Sequence, residues 1–197
     1  MIRCIKVTIL GLLLPVLGLG QGLEEFNSER LKLDQNLMIG LTSWSLSNVA
    51  VSSYGWATTD NEAMYFHQMN VMWSGVNLAL AIPGYFKARK TDPNSFSFAQ
   101  TWKEQLKTEK IFLFNTALDL VYVGSGLLLK QRAQLDDVNY YRFRGFGNSL
   151  LLQGGFLFLF DLTATLLHTK HRNEKLNGFL EKVEMSDNGL GMKIRFG

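Results

Sequence analysis

Four long stretches of this chain are nearly without charge. Residues 35–59 and 63–86 contain no Lys, Arg, Asp or Glu, 111–129 contain only Asp119, and 145–169 contain only Asp161. Each is about as long as the roughly 20 helical residues that cross a hydrocarbon layer of about 30 Å. The first two blocks are diluted by serines, asparagines and His67. The last two, IFLFNTALDLVYVGSGLLL and LLLQGGFLFLFDLTATLL, are hard to bury in a chain of 197 residues unless lipid surrounds them. Composition agrees once the charges are placed. The apolar share, 47%, is ordinary, while the charged share, 19%, falls below the roughly 25% of a typical soluble domain.

These blocks predict an all-α membrane protein with four transmembrane helices packed as two antiparallel hairpins and preceded by a signal peptide. Arg3 and Lys6, an apolar run from Val7 to Leu19 and the small residues Gly18 and Gly20 form an export signal over 1–20. A polar lead-in follows over 21–36. The spans are expected at about 37–58, 63–86, 110–130 and 149–168, within a domain over 37–169, and a polar tail at 170–197. Pro83, Gly84, Tyr85 and Phe86 read as a helix-ending cluster at headgroup level. The stretch QTWKEQLKTEK reads as an interfacial amphipathic helix or as an extension of the third span. A β-barrel is disfavoured, because the apolar runs are continuous and lack two-residue alternation; only the tail, with Leu190, Met192, Ile194 and Phe196, alternates.

The expected location is a bacterial inner membrane, crossed several times. Two rules then give opposite orientations. Loop positives gather in 87–110 and in both tails, which the positive-inside rule places in the cytoplasm, whereas a cleaved signal puts Gln21 outside. The partner expected is the lipid bilayer, with a second copy or another membrane protein open to such a bundle; the charge pattern suits anionic headgroups and not nucleic acid. The lone cysteine, Cys4, lies in the signal, so no disulfide framework or cysteine-held metal cluster is built within the chain.

Inside the spans the polar residues keep helical spacing. His67, Asn70, Ser74 and Asn77 share one face of the second helix, and Asn115, Asp119, Tyr122 and Gly126 one face of the third. Trp44, Asn48 and Gly55 line the first, and Gly154, Asp161, Thr165 and His168 the fourth, with Gln153 adjacent. A shift of 71 residues lays Asn48 on Asp119 and Gly55 on Gly126, and a shift of 84 lays Asn77 on Asp161, a faint internal duplication. In lipid such seams face the bundle interior, as a site or as packing glue. The residues do not name a cofactor or a metal. His168 and His171 read as interfacial members of a basic patch, HTKHR.

The segments WSLSNVAVSSYGW, YFHQMNVMWSGVNLALAIPGY, FLFNTALDLVYVGSGLLL and GFGNSLLLQGGFLFLFDL resemble an uncharacterised family of small four-span membrane proteins from Bacteroidota, a domain of unknown function. The resemblance covers roughly residues 37–168. It implies a signal, four spans and characteristic positions at Trp44, Asn48, His67, Gln68, Asn70, Trp73, Asn77, Asn115, Asp119, Tyr122, Gly147, Gln153, Gly154 and Asp161. It implies no activity. The leading functional expectation is a binding or transport module for a small solute or ion. The alternatives are a structural or accessory membrane protein, and an intramembrane metal-dependent enzyme that would bring His67 to an aspartate.

Overall fold

The computed structural model describes residues 2–177 and the pairs 185–186 and 189–190, with side chains described from Gly22 to Asn177. Four α-helices account for nearly all of it: α1 (Ile2–Thr58), α2 (Asn61–Lys90), α3 (Phe98–Ala133) and α4 (Tyr140–His171). The expected export segment continues α1 as helical backbone, and its side chains lie outside the described residues. Beyond Asn177 only a two-residue antiparallel pair, Met185–Ser186 with Gly189–Leu190, is described, so most of the alternating tail also lies outside.

Local chemistry sets the helix ends. Thr59 closes α1 by donating from both its N–H and its hydroxyl to the Gly55 carbonyl. Asn61 then adopts a left-handed φ of 54°, which Asn tolerates better than most residues, and the chain reverses within two residues. Ser97 and Gln100 form a reciprocal capping box that starts α3. From there α3 runs unbroken to Ala133, so QTWKEQLKTEK is its first turns and not a separate interfacial helix. Pro83 does not end α2, which continues to Lys90. A proline removes one backbone donor. The turn carries on because small Ala81, Gly84 and Ala88 hold it against α1, with Met38 packed directly over Gly84.

The buried positions repeat at three and four residues. On α4 the longest stripe is Gly147, Leu150, Gly154, Leu157, Asp161, Ala164 and His168, with Gly145, Ser149 and Gln153 buried beside it; on α2 the buried positions are Asn70, Ser74, Asn77, Ala81 and Ala88. This 3.5-residue period makes each helix present one continuous seam to its neighbours. α1 packs along α2, α3 along α4, and the N-terminal half of α2 along that of α4, whereas α2 and α3 hardly meet. Glycines set the closest approaches. A Cβ on Gly126 would stand 2.8 Å from the Gly147 carbonyl oxygen, and one on Gly145 only 2.5 Å from that of Glu62.

Polarity is distributed opposite to a soluble core. Among the described residues, more polar than apolar side chains are buried. Meanwhile Val51, Leu80, Phe114, Leu128 and Leu159, drawn from all four helices, are each more than half exposed. α3 and α4 are long and apolar enough to cross a membrane.

The polar segments at one end are structured too. Residues 22–36 extend α1 and pack on the last turns of α4, which passes into a widened π-type turn over Arg172–Asn177. His171 Nε2 lies 3.0 Å from Glu29 and stacks on Phe26; Lys175 reaches Glu25 and Glu29. Arg172 binds Glu109 at 2.8 Å, and Gln105 donates to the His168 carbonyl. His168 is fully buried, stacked on Phe112 and 3.2 Å from Asp34. It is therefore an internal residue and not an interfacial one, because the start of α1 covers the face that the tail alone would leave open.

Candidate functional site

The residues singled out by spacing or by the family resemblance separate into three groups. Trp44, Asn48, Asn70 and Gln153 form a hub that joins α1, α2 and α4. Trp44 Nε1 donates to Gln153 Oε1 at 3.1 Å, and Gln153 Nε2 donates to Asn70 at 2.8 Å and Asn48 at 3.2 Å. Ser149 adds a further bond to Asn70 Oδ1, and the Trp44 ring stacks on Phe156. Gln153 has no exposed surface, and its amide oxygen and nitrogen are both in use. Gln153 is thereby saturated, as at a structural junction, while Asn70 Nδ2 is left without a partner.

His67 stands apart. Its ring lies over Gly55, where any side chain would collide with it, and meets Phe66 edge-on. It does not line the cavity that holds the aspartates. Ten residues, about 15 Å of helix axis, separate it from Asn77, which does. Among the described residues no three His, Cys, Asp or Glu side chains are grouped to hold a metal ion.

The third group surrounds a cavity of about 320 Å³. Trp73 and Asn77 come from α2, Asn115, Asp119 and Tyr122 from α3, and Asp161 from α4. Met38 and Leu41 of α1 form part of its back wall. Asp119 and Asp161, both buried, meet across the α3–α4 seam within hydrogen-bonding reach of each other. Both carboxyls are acceptors when ionised, so a bond between them requires a proton. Trp73 meets Tyr122 edge-on at 4.7 Å. Around this pair the polar groups are unspent: Trp73 Nε1, Asn77 Nδ2 and Asp119 Oδ2 are buried without a hydrogen-bond partner. The mouth opens sideways between α2 and α3, past Val76, Leu80, Ile111 and Leu118.

Gly154 supports this group by letting α4 approach the backbone oxygen of Asp119; a Cβ there would lie 3.2 Å from it. Gly147 does the same opposite Gly126. Spacing did not reveal Arg30, Gln105 or Glu109, whose burial depends on partners far away in sequence.

Residues 40–162, more than half of the chain, match a family of unknown function, DUF6992. The chain belongs to DUF6992. The matched stretch contains the hub, His67 and the polar residues of the cavity group, and it excludes Met38, the first part of α1 and the π-type turn. No curated protein and no solved structure matches the chain.

Proposed function

We propose that this DUF6992 protein is a four-span integral membrane protein that binds a small cationic solute or ion in the cavity around Asp119 and Asp161. The membrane part rests on the reversed polarity of the bundle: all four helices carry large apolar side chains outward over the charge-free blocks, and their seams are polar. Lipid supplies no hydrogen bonds, so polar groups belong inside. Aromatic residues stand near the ends of these blocks, with Tyr54, Trp56 and Tyr141 at one end and Tyr85, Phe86 and Trp102 at the other.

The observation that carries the binding part is a pair of facing carboxyls in an open cavity, which the hub lacks. Packing glue saturates its own bonds, as Gln153 does. The cavity instead combines two facing carboxyls, free donors at Trp73 and Asn77, aromatic walls and an opening. Carboxylates and aromatic faces attract cations.

The test is thermal stability of the detergent-purified protein titrated with sodium and with tetramethylammonium. A ligand at about 100 times its Kd stabilises the folded state by roughly 2.7 kcal/mol. At least one of the two ions should raise the midpoint of the wild type, and Asp119→Asn and Asp161→Asn should remain folded but lose that rise. A rise that survives in both variants contradicts the assignment. Folded variants of unchanged stability, with no ion effect in any protein, favour the structural alternative.

A further inference from the structure

A second cavity, of about 190 Å³, lies toward the polar end of the bundle between α1, the last turns of α2 and the first turns of α3. Its polar wall carries two cations, Arg30 and Lys87, and two carboxylates, Asp34 and Glu104. Arg30 is only 3% exposed, yet its bonding is sparse. Nη2 donates to Asn27 at a long 3.4 Å, Nη1 stands 3.7 Å from Asp34, the Phe96 ring centre is 5.1 Å away, and Nε has no partner. A guanidinium offers five N–H donors, and burying one so poorly matched is unfavourable. Desolvation accordingly pushes Arg30 below its ordinary value. Glu104 makes no hydrogen bond or ion pair among the described residues, although it feels the charge of Arg30.

Met38, Ile111 and Phe112 wall both cavities, which lie one beyond the other along the gap between α2 and α3. The charged wall lies where the uncharged blocks begin, at Asp34, Lys87 and Lys110. Below it, over about 15 Å from Lys87 to Asn77, the rim is apolar: Leu80, Val76 and Leu118. Opposite charges at headgroup depth above an apolar trough match a zwitterionic amphiphile. An anionic head would leave both carboxylates facing negative charge.

We propose that the α2–α3 gap seats one phospholipid with a phosphoethanolamine head, its phosphate on Arg30 and Lys87, its ammonium on Glu104, and one acyl chain laid over the mouth of the Asp119/Asp161 cavity. This rests on the four-span reading but not on cation binding.

Native mass spectrometry of the detergent-released protein tests it, with titration by phosphatidylethanolamine, by phosphatidylglycerol and by two chainless competitors, glycerophosphoethanolamine and inorganic phosphate. The wild type should hold one phosphatidylethanolamine in preference to phosphatidylglycerol. Arg30→Gln should weaken that binding roughly tenfold or more, as expected for losing charge-assisted hydrogen bonds. Glu104→Gln should erase the preference between the two lipids, and this decides the matter if Arg30→Gln fails to fold. Asp119→Asn should retain the lipid whether or not it retains an ion effect, which separates the two proposals. Equal binding of both lipids by the wild type, wild-type lipid binding by folded Arg30→Gln, or displacement by either chainless competitor would overturn it. A protein that stays dispersed without detergent would overturn the four-span reading itself.

Discussion

Gln153 and Gly126 show how single residues hold a bundle whose interior is mostly polar. Replacing Gln153 by Leu removes the common partner of Trp44, Asn48 and Asn70. Unmade buried hydrogen bonds cost about 1–3 kcal/mol each in water-soluble proteins, but those within membranes average nearer 0.6 kcal/mol. The expected loss is therefore about 2 kcal/mol, measured as a lower midpoint in detergent unfolding. The glycines differ in what surrounds them. At Gly126 the obstacle is the backbone of α4, so Gly126→Ala must push two helices apart and should cost about 1–3 kcal/mol. At Gly55 the obstacle is the movable ring of His67, so Gly55→Ala should cost less, and His67→Ala should relieve it. A double-mutant cycle that finds the two additive would remove His67 from that contact.

At the scale of elements, the packing of the first part of α1 on the end of α4 responds to pH. Desolvation lowers the His171 pKa from its ordinary 6.5, against the opposing hydrogen bond and charge of Glu29; nearby His168 and Lys175 lower it further. The unfolded chain thus takes up this proton first, and stability falls as pH drops below 6.5. Burial would raise Glu29, but hydrogen bonds and charge from His171 and Lys175 outweigh it and hold the carboxyl below 4.5. Its contribution is complete above 4.5 and is lost as pH falls through the folded value. Both groups act in the same direction. The thermal midpoint should decline from pH 6.5 and more steeply below 4.5, and His171→Gln should flatten the upper limb and, by removing one of the groups that hold Glu29 down, weaken the lower one as well. The polar seams behind these elements were visible in the sequence, because Asn70, Ser74 and Asn77 keep a 4, 3 spacing inside an uncharged block. The partition of those residues was not. Asn70 and Asn77 share one face, and only the arrival of Gln153 beside one and of the Asp119–Asp161 pair near the other makes them differ. Nor was the buried end of α1 legible. Asn27, Arg30 and Asp34 look like a solvated stretch until Thr101, Phe96 and His168 meet them from distant parts of the chain.

For the whole molecule, the uncharged blocks foretold four helices, since length and hydropathy are local properties, but not their extents: α1, α3 and α4 begin well before the blocks do. Pro83 misled as a boundary, because whether a helix continues past a proline depends on what packs against it. The central claim is that this bundle crosses a membrane four times, with its polar seams inward. It places the α1–α2 turn and the α3–α4 link on one side, and the α2–α3 link with the end of α4 on the other. Accessibility of single cysteines to a membrane-impermeant maleimide in sealed vesicles measures this directly. In a Cys4→Ser background, Asp60→Cys and Asp137→Cys, both at exposed positions, should label from one side of the membrane. Asn94→Cys and Asn173→Cys, also exposed, should label from the opposite side only. Labelling of all four positions from the same side of intact vesicles would contradict the four-span bundle.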